Sequence, residues 1–107
     1  MNEDKYHCRL DADSQYVELA VEVFTMLADA TRVRIILALR DGELSVNHLA
    51  DIIDKSPTAV SQHLAKLRAD GLVEFRRASQ TLHYRVADQR ALRLLQVLKD
   101  IYCGDLK

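Results

Sequence analysis

A chain of 107 residues, 49% of them hydrophobic and only one a proline, is long enough for one small helix-rich domain and little more. It has no run of about eighteen apolar residues, and Met1-Asn2-Glu3-Asp4-Lys5 has no apolar core. Neither a membrane span nor a signal peptide is therefore expected, and the chain reads as cytoplasmic with no membrane partner. Cys8 and Cys103 are too few for a secreted disulfide framework and are expected as thiols in a reducing compartment.

The net charge of −1 conceals an asymmetry, because residues 1–22 carry −4 and residues 55–85 carry +4. A positive face of this kind suits a polyanion, and a negative side elsewhere limits indiscriminate binding to one.

Residues 1–13 read as an N-terminal arm, and 14–107 as a folded domain. A first helix is expected over 14–28, with Tyr16, Val17, Ala20, Val23, Phe24 and Leu27 on one face and Leu19 and Met26 on another. A short helix over 30–41, ended by Gly42, is expected to bring Val33, Ile36, Leu37 and Leu39 to the core. In the next segment Val46, Leu49, Ala50 and Ile53 recur at the spacing of one buried helical face, with Ser45 placed to cap it. Asp54-Lys55 makes a tight turn. Ser56-Pro57 then opens another helix, because serine caps and proline's fixed φ suits the first helical position. That helix buries Val60, Leu64 and Leu67 and stops at Gly71. Its other face, Thr58, Ser61, Gln62, His63 and Lys66, carries donors and acceptors with little bulk, as a helix in the DNA major groove requires.

Two strands follow. Val73 and Phe75, then Leu82, Tyr84 and Val86, alternate with Glu74, Arg76, Thr81, His83 and Arg85, so one face packs inward and the other meets solvent. Arg76, Arg77, Gln80 and Arg85 would arm this ribbon beside the phosphate backbone, adding affinity more than sequence choice. The last helix, over 88–103, presents Ala91, Leu94, Leu95, Leu98, Ile101 and Tyr102, with Leu92 and Val97 to the side. The apolar arcs of the first and last helices are wider than one small domain needs, which points to a twofold dimer. The expected fold is mainly α with a small β-hairpin: a homodimeric winged helix-turn-helix of four helices, two strands and a final helix.

The run from Met26 to Leu37, then Glu43-Leu44-Ser45-Val46, the run from Ser56 to Leu67, Gly71-Leu72-Val73 and Tyr84-Arg85-Val86 resemble the ArsR/SmtB family of bacterial repressors. The resemblance covers roughly residues 16–103. It implies a homodimer made by the first and last helices, which binds an imperfect inverted repeat in a double-stranded operator and is released by a metal ion or another chemical signal. Ser56, Thr58, Ser61, Gln62 and His63 match the family's recognition-helix positions. The family's wing turn often contains Asp-Gly, whereas this chain has Ala78-Ser79-Gln80-Thr81, so a looser tip with a different groove contact is expected.

The family's sensor sites are missing. One takes two cysteines from a Glu-Leu-Cys-Val-Cys-Asp-Leu stretch, where this chain has Ser45, Asn47 and His48. Another takes Asp-x-His at the start of the last helix and a second pair near its end, and Asp88-Gln89-Arg90 keeps only the aspartate. What remains is His7, Cys8 and Cys103, with Asp11, Asp13 and Asp105 near them in sequence. If the first and last helices pair, this thiolate, imidazole and carboxylate set suits zinc, cadmium or arsenic(III) as inducer. Alternatively the thiols form a redox pair, or Cys8 lies in a tail and Cys103 is a small, partly buried residue at a helix end. His48, His63 and His83 read as donors toward DNA or solvent. No phosphate loop, catalytic triad or paired carboxylates appear, so no enzyme is expected. A winged-helix domain used only for protein contacts is the third reading, but such domains tend to lack a polar recognition face and wing cations.

Overall fold

The computed structural model describes residues 10–104. Its elements are α1 (Tyr16–Met26), α2 (Ala30–Ala38), β1 (Leu44–Ser45), α3 (Val46–Ile53), α4 (Pro57–Ala69), β2 (Val73–Ala78), β3 (Thr81–Val86) and α5 (Gln89–Cys103). The caps read from sequence form. Ser45 Oγ accepts the His48 backbone N–H at 3.2 Å and Ser56 Oγ that of Ala59 at 3.1 Å, each satisfying a donor that a helix start leaves without a partner. Asp29 does the same for α2, accepting from the Arg32 N–H at 3.1 Å. At the far end of α4, Gly71 takes φ +80°, its N–H reaches Arg68 C=O and the Leu72 N–H reaches Leu67 C=O, the paired bonds of a Schellman closure.

The core lies where α2, α3 and α4 cross above the sheet. Ile35, Ile36, Leu49, Val60, Leu64, Leu67 and Val73 are its fully buried side chains, joined by Leu39, Ala50, Ile53, Leu72, Tyr84 and Ala91. Within α2 the expected core set needs correction. Ile35 is buried and Leu37 is 38% exposed, because the crossing with α3 and α4 fixes which arc points inward. The helix also ends at Ala38 rather than running to Asp41, with the Leu39 N–H shared between the carbonyls of Ile35 and Ile36.

The ribbon is part of a three-stranded antiparallel sheet of order β1-β3-β2. Strand β1, absent from the sequence reading, pairs Leu44 with Tyr84 and Ser45 with His83. Two residues are too short for any periodicity to show. The wing tip is also tighter than expected: Ala78 pairs with Thr81, leaving only Ser79 and Gln80 in the turn, with Ser79 at φ +57°. Apart from Ala91, the outer helices meet the core through the partly buried Met26, Leu92 and Leu95. α1 buries no residue and α5 only Ala91.

Candidate nucleic-acid interface

The interface is built on α4. Val60, Leu64 and Leu67 anchor the helix inward, which leaves Thr58, Ser61, Gln62 and Lys66 exposed on the opposite face, with Ser56 exposed at its start. Its placement depends on the turn before it, where Asp54 takes the left-handed conformation (φ 63°) and the Lys55 N–H reaches back to Ala50 C=O at 3.1 Å. The five sequence-predicted side chains Ser56, Thr58, Ser61, Gln62 and Lys66 thus share one solvent face. His63 departs from them. It is only partly exposed, and its Nδ1 lies 3.8 Å from Asp29 Oδ1, so its ring turns toward the cap of α2.

Asp29 therefore does two things. The Arg32 backbone N–H above all holds its carboxyl below the ordinary carboxylate value; desolvation opposes it, and His63, the Thr31 N–H and the Arg32 charge each add a smaller lowering. Arg32 itself ties two helices together: its Nη1 donates to Met26 C=O at 3.1 Å, while its buried Nε has no partner among the described residues.

The wing cations are not equivalent. Arg76 Nε donates to both carboxylate oxygens of Glu43, at 2.8 and 3.0 Å, and Arg85 pairs with Glu74 directly across the sheet. Arg77 has no acid within ion-pair distance among the described residues, and Gln80 is exposed in the turn beside it. Arg68, at the end of α4, stacks 4.4 Å above the Phe75 ring, and Phe75 meets Tyr84 at 5.3 Å between ring centres. That stack couples the recognition helix to the wing and contributes about 0.5–1 kcal/mol at an exposed site. The sequence reading missed Glu43, Glu74 and Arg68. The cross-strand register would have exposed Glu74, since alternation places it opposite Arg85, but Glu43 reaches Arg76 only because β1 joins the sheet.

No metal centre is assembled among the described residues, where no group of three or more His, Cys, Asp or Glu side chains comes together. Cys103 is exposed on the last turn of α5 rather than partly buried. His7, Cys8 and Asp105 lie outside the described residues. Asp88 caps α5 and is held below the ordinary carboxylate value mainly by the side chain of Arg90, which donates to it at 2.6 Å. The aspartate retained at a family ligand position is thus engaged by a cation. No helix among the described residues is long and apolar enough to cross a membrane.

Residues 29–74, which contain α2, α3, α4 and the start of β2, match the pattern of the bacterial regulatory protein, arsR family. The regulator KmtR of Mycobacterium tuberculosis is 51% identical over 77 residues, covering 72% of this chain and 59% of KmtR. The transcriptional activator HlyU of Vibrio cholerae is 38% identical over 84 residues, 78% of each chain. This chain belongs to the ArsR family. Its fold agrees with that membership across almost its whole length: the antimony-specific transcriptional repressor AntR superposes with a TM-score of 0.77 at 32% identity, covering 94% of this chain and 92% of AntR. The ArsR-family chain is accordingly a DNA-binding transcriptional regulator and not an enzyme.

Proposed function

We propose that this protein is a repressor that binds an operator as a homodimer and is released by a metal or metalloid ion. The observation that carries the DNA-binding half is the exposed polar face of α4, held by buried Val60, Leu64 and Leu67 beside a wing whose Arg77 has no ion-pair partner among the described residues. Gln62 and Ser61 would reach base edges, and Arg77 and Gln80 the phosphates or the minor groove. The dimer is supported by the outer helices: Leu19, Val21 and Phe24 of α1 and Val97, Ile101 and Tyr102 of α5 are all more than half exposed. The folded unit would span 14–107, with helices 14–28 and 88–103 as the dimer contacts.

The inducer half rests on thiol chemistry and on the similarity to a repressor described as antimony-specific. Cys103 stands exposed at the end of α5, and His7 and Cys8 precede α1 in sequence, so pairing α1 with α5 in a dimer would bring the three near one another. They would suit zinc, cadmium or arsenic(III). The test is binding to the DNA upstream of the protein's own gene, with and without zinc, cadmium, arsenite and peroxide. Release by an ion, lost in Cys8→Ser and Cys103→Ser while repression stays intact, is the expected result. Release by peroxide alone would make the thiols a redox pair, and release that persists in the double variant would remove them from sensing.

A further inference from the structure

On the side of α5 away from its exposed apolar stripe, the structure holds a groove of about 480 Å³ between α2 and α5. Leu37, Leu92 and Leu95 form its floor, and Arg40, Arg93 and Lys99 stand around its rim. Leu37 is the residue that the apolar pattern places in the core and that the structure leaves 38% exposed; here it lines a concavity instead. No acid lines the groove. Of the lining groups, Gln96 donates to Asp100 at 2.9 Å and Arg40 is partly engaged, its Nε 3.7 Å from Asp41 and its Nη1 donating to Leu37 C=O at 2.9 Å, which leaves Arg93 and Lys99 with no acid within ion-pair distance among the described residues.

Two features define the occupant. The volume lies within the roughly 300–1,000 Å³ of small-molecule sites, and such sites combine an apolar lining with a few polar groups that fix orientation. Arg93 and Lys99 beside a leucine floor complement an anion with a hydrocarbon tail, the tail against the leucines and the headgroup at the rim. At about 100° per residue, Leu92, Gln96 and Lys99 centre on nearly the opposite side of α5 from Leu94, Val97 and Ile101, while Leu95 and Arg93 stand at the border between the groove and that stripe.

We propose that this groove binds a medium-chain carboxylate, and that occupancy alters operator affinity. Both walls lead to the DNA face: α2 packs on α3 and α4, while α5 carries the dimer stripe, so a ligand that spreads them changes the spacing of the two recognition helices. Only the coupling clause rests on the repressor reading.

Decanoate, decanol and decyltrimethylammonium are titrated below their aggregation concentrations into the full chain, in the absence of DNA, by calorimetry. Saturable binding of decanoate at one per protomer is expected, with decanol and the cation at least roughly tenfold weaker, as loss of a charge-assisted contact implies. Arg93→Gln/Lys99→Gln should weaken decanoate by a similar factor while its circular dichroism and sedimentation match the wild type. Equal affinity for decanol, no saturable binding, or unchanged affinity in the double variant overturns the site. A double variant that becomes monomeric also overturns it, because the groove then seats the second copy. Operator affinity is measured first without ligand, so a failure of DNA binding is read separately from a failure of the groove. A bound decanoate that leaves operator affinity unchanged overturns the coupling.

Discussion

Arg77 and Arg76 are neighbours on one strand, yet they differ in what each has left to offer a phosphate. Arg76 is already neutralised by Glu43, whereas Arg77 is a free cation among the described residues. Each cation that displaces a phosphate counterion contributes about −0.9 to the slope of log K against log salt, so Arg77→Ala should make the slope of a dimer shallower by about 2. Arg76→Ala should change it by clearly less; equal changes in a salt titration by fluorescence anisotropy would mean that the Glu43 pair opens on DNA. Asp29 yields a pH prediction. Its folded pKa is depressed, so the charged form stabilises the native state; that contribution is present above the unfolded carboxylate value and is lost as pH falls through the lower folded one. Asp29→Asn keeps a capping oxygen but has no proton to gain. The wild type should therefore be the more stable above about pH 5 and lose that advantage progressively as pH falls below the ordinary carboxylate value, as urea melts across the range would show. The polar face of α4 was legible residue by residue, because position on a helix follows from spacing. His63 was not, since its turn toward Asp29 depends on where α2 crosses α4.

At the scale of elements, the punctuation of α4 was fully written in the chain: Ser56, Pro57 and Gly71 mark its ends for stereochemical reasons that act locally. Ser56→Ala should cost about 1 kcal/mol, seen as a lower urea midpoint at unchanged m-value, because the Ala59 N–H loses its acceptor. Leu64→Ala, at a fully buried position, should cost about 2–5 kcal/mol in the same experiment. β1 and the tight wing turn were not legible. Two residues carry no alternation, and Ser79 adopts a positive φ that nothing but closure of the register Ala78 to Thr81 demands. The inward arc of α2 also escaped the pattern, since Ile35, Ile36 and Leu37 are all apolar and only packing chooses among them.

As a single chain the molecule leaves its outer helices largely exposed among the described residues. α1 has no buried residue, and the stripe of α5 through Val97, Leu98 and Ile101 faces solvent, so a large apolar surface is left without a partner. Leu98→Glu would place an uncompensated charge in the proposed dimer contact and should cost about 3–5 kcal/mol of association. Sedimentation should then show a monomer, and operator binding should be lost with it, because two recognition helices must meet half-sites about one helical turn apart. A wild type that sediments as a monomer at micromolar concentration would contradict the dimer.

Sequence alone determined the order of the five helices and of the two wing strands, the capped recognition helix, the amphipathic outer helices and the family, since each follows from local spacing, stereochemistry or residue type along the chain. Tertiary structure decided which wing cations are free, which leucine of α2 leaves the core and where a groove opens. Those outcomes depend on residues far apart in the chain: Arg76 meets Glu43 across 33 positions, and Leu37 meets Leu92 and Leu95 only after α5 returns to α2. Periodicity reports which face of an element is apolar, but only the neighbours that arrive from elsewhere decide what that face covers.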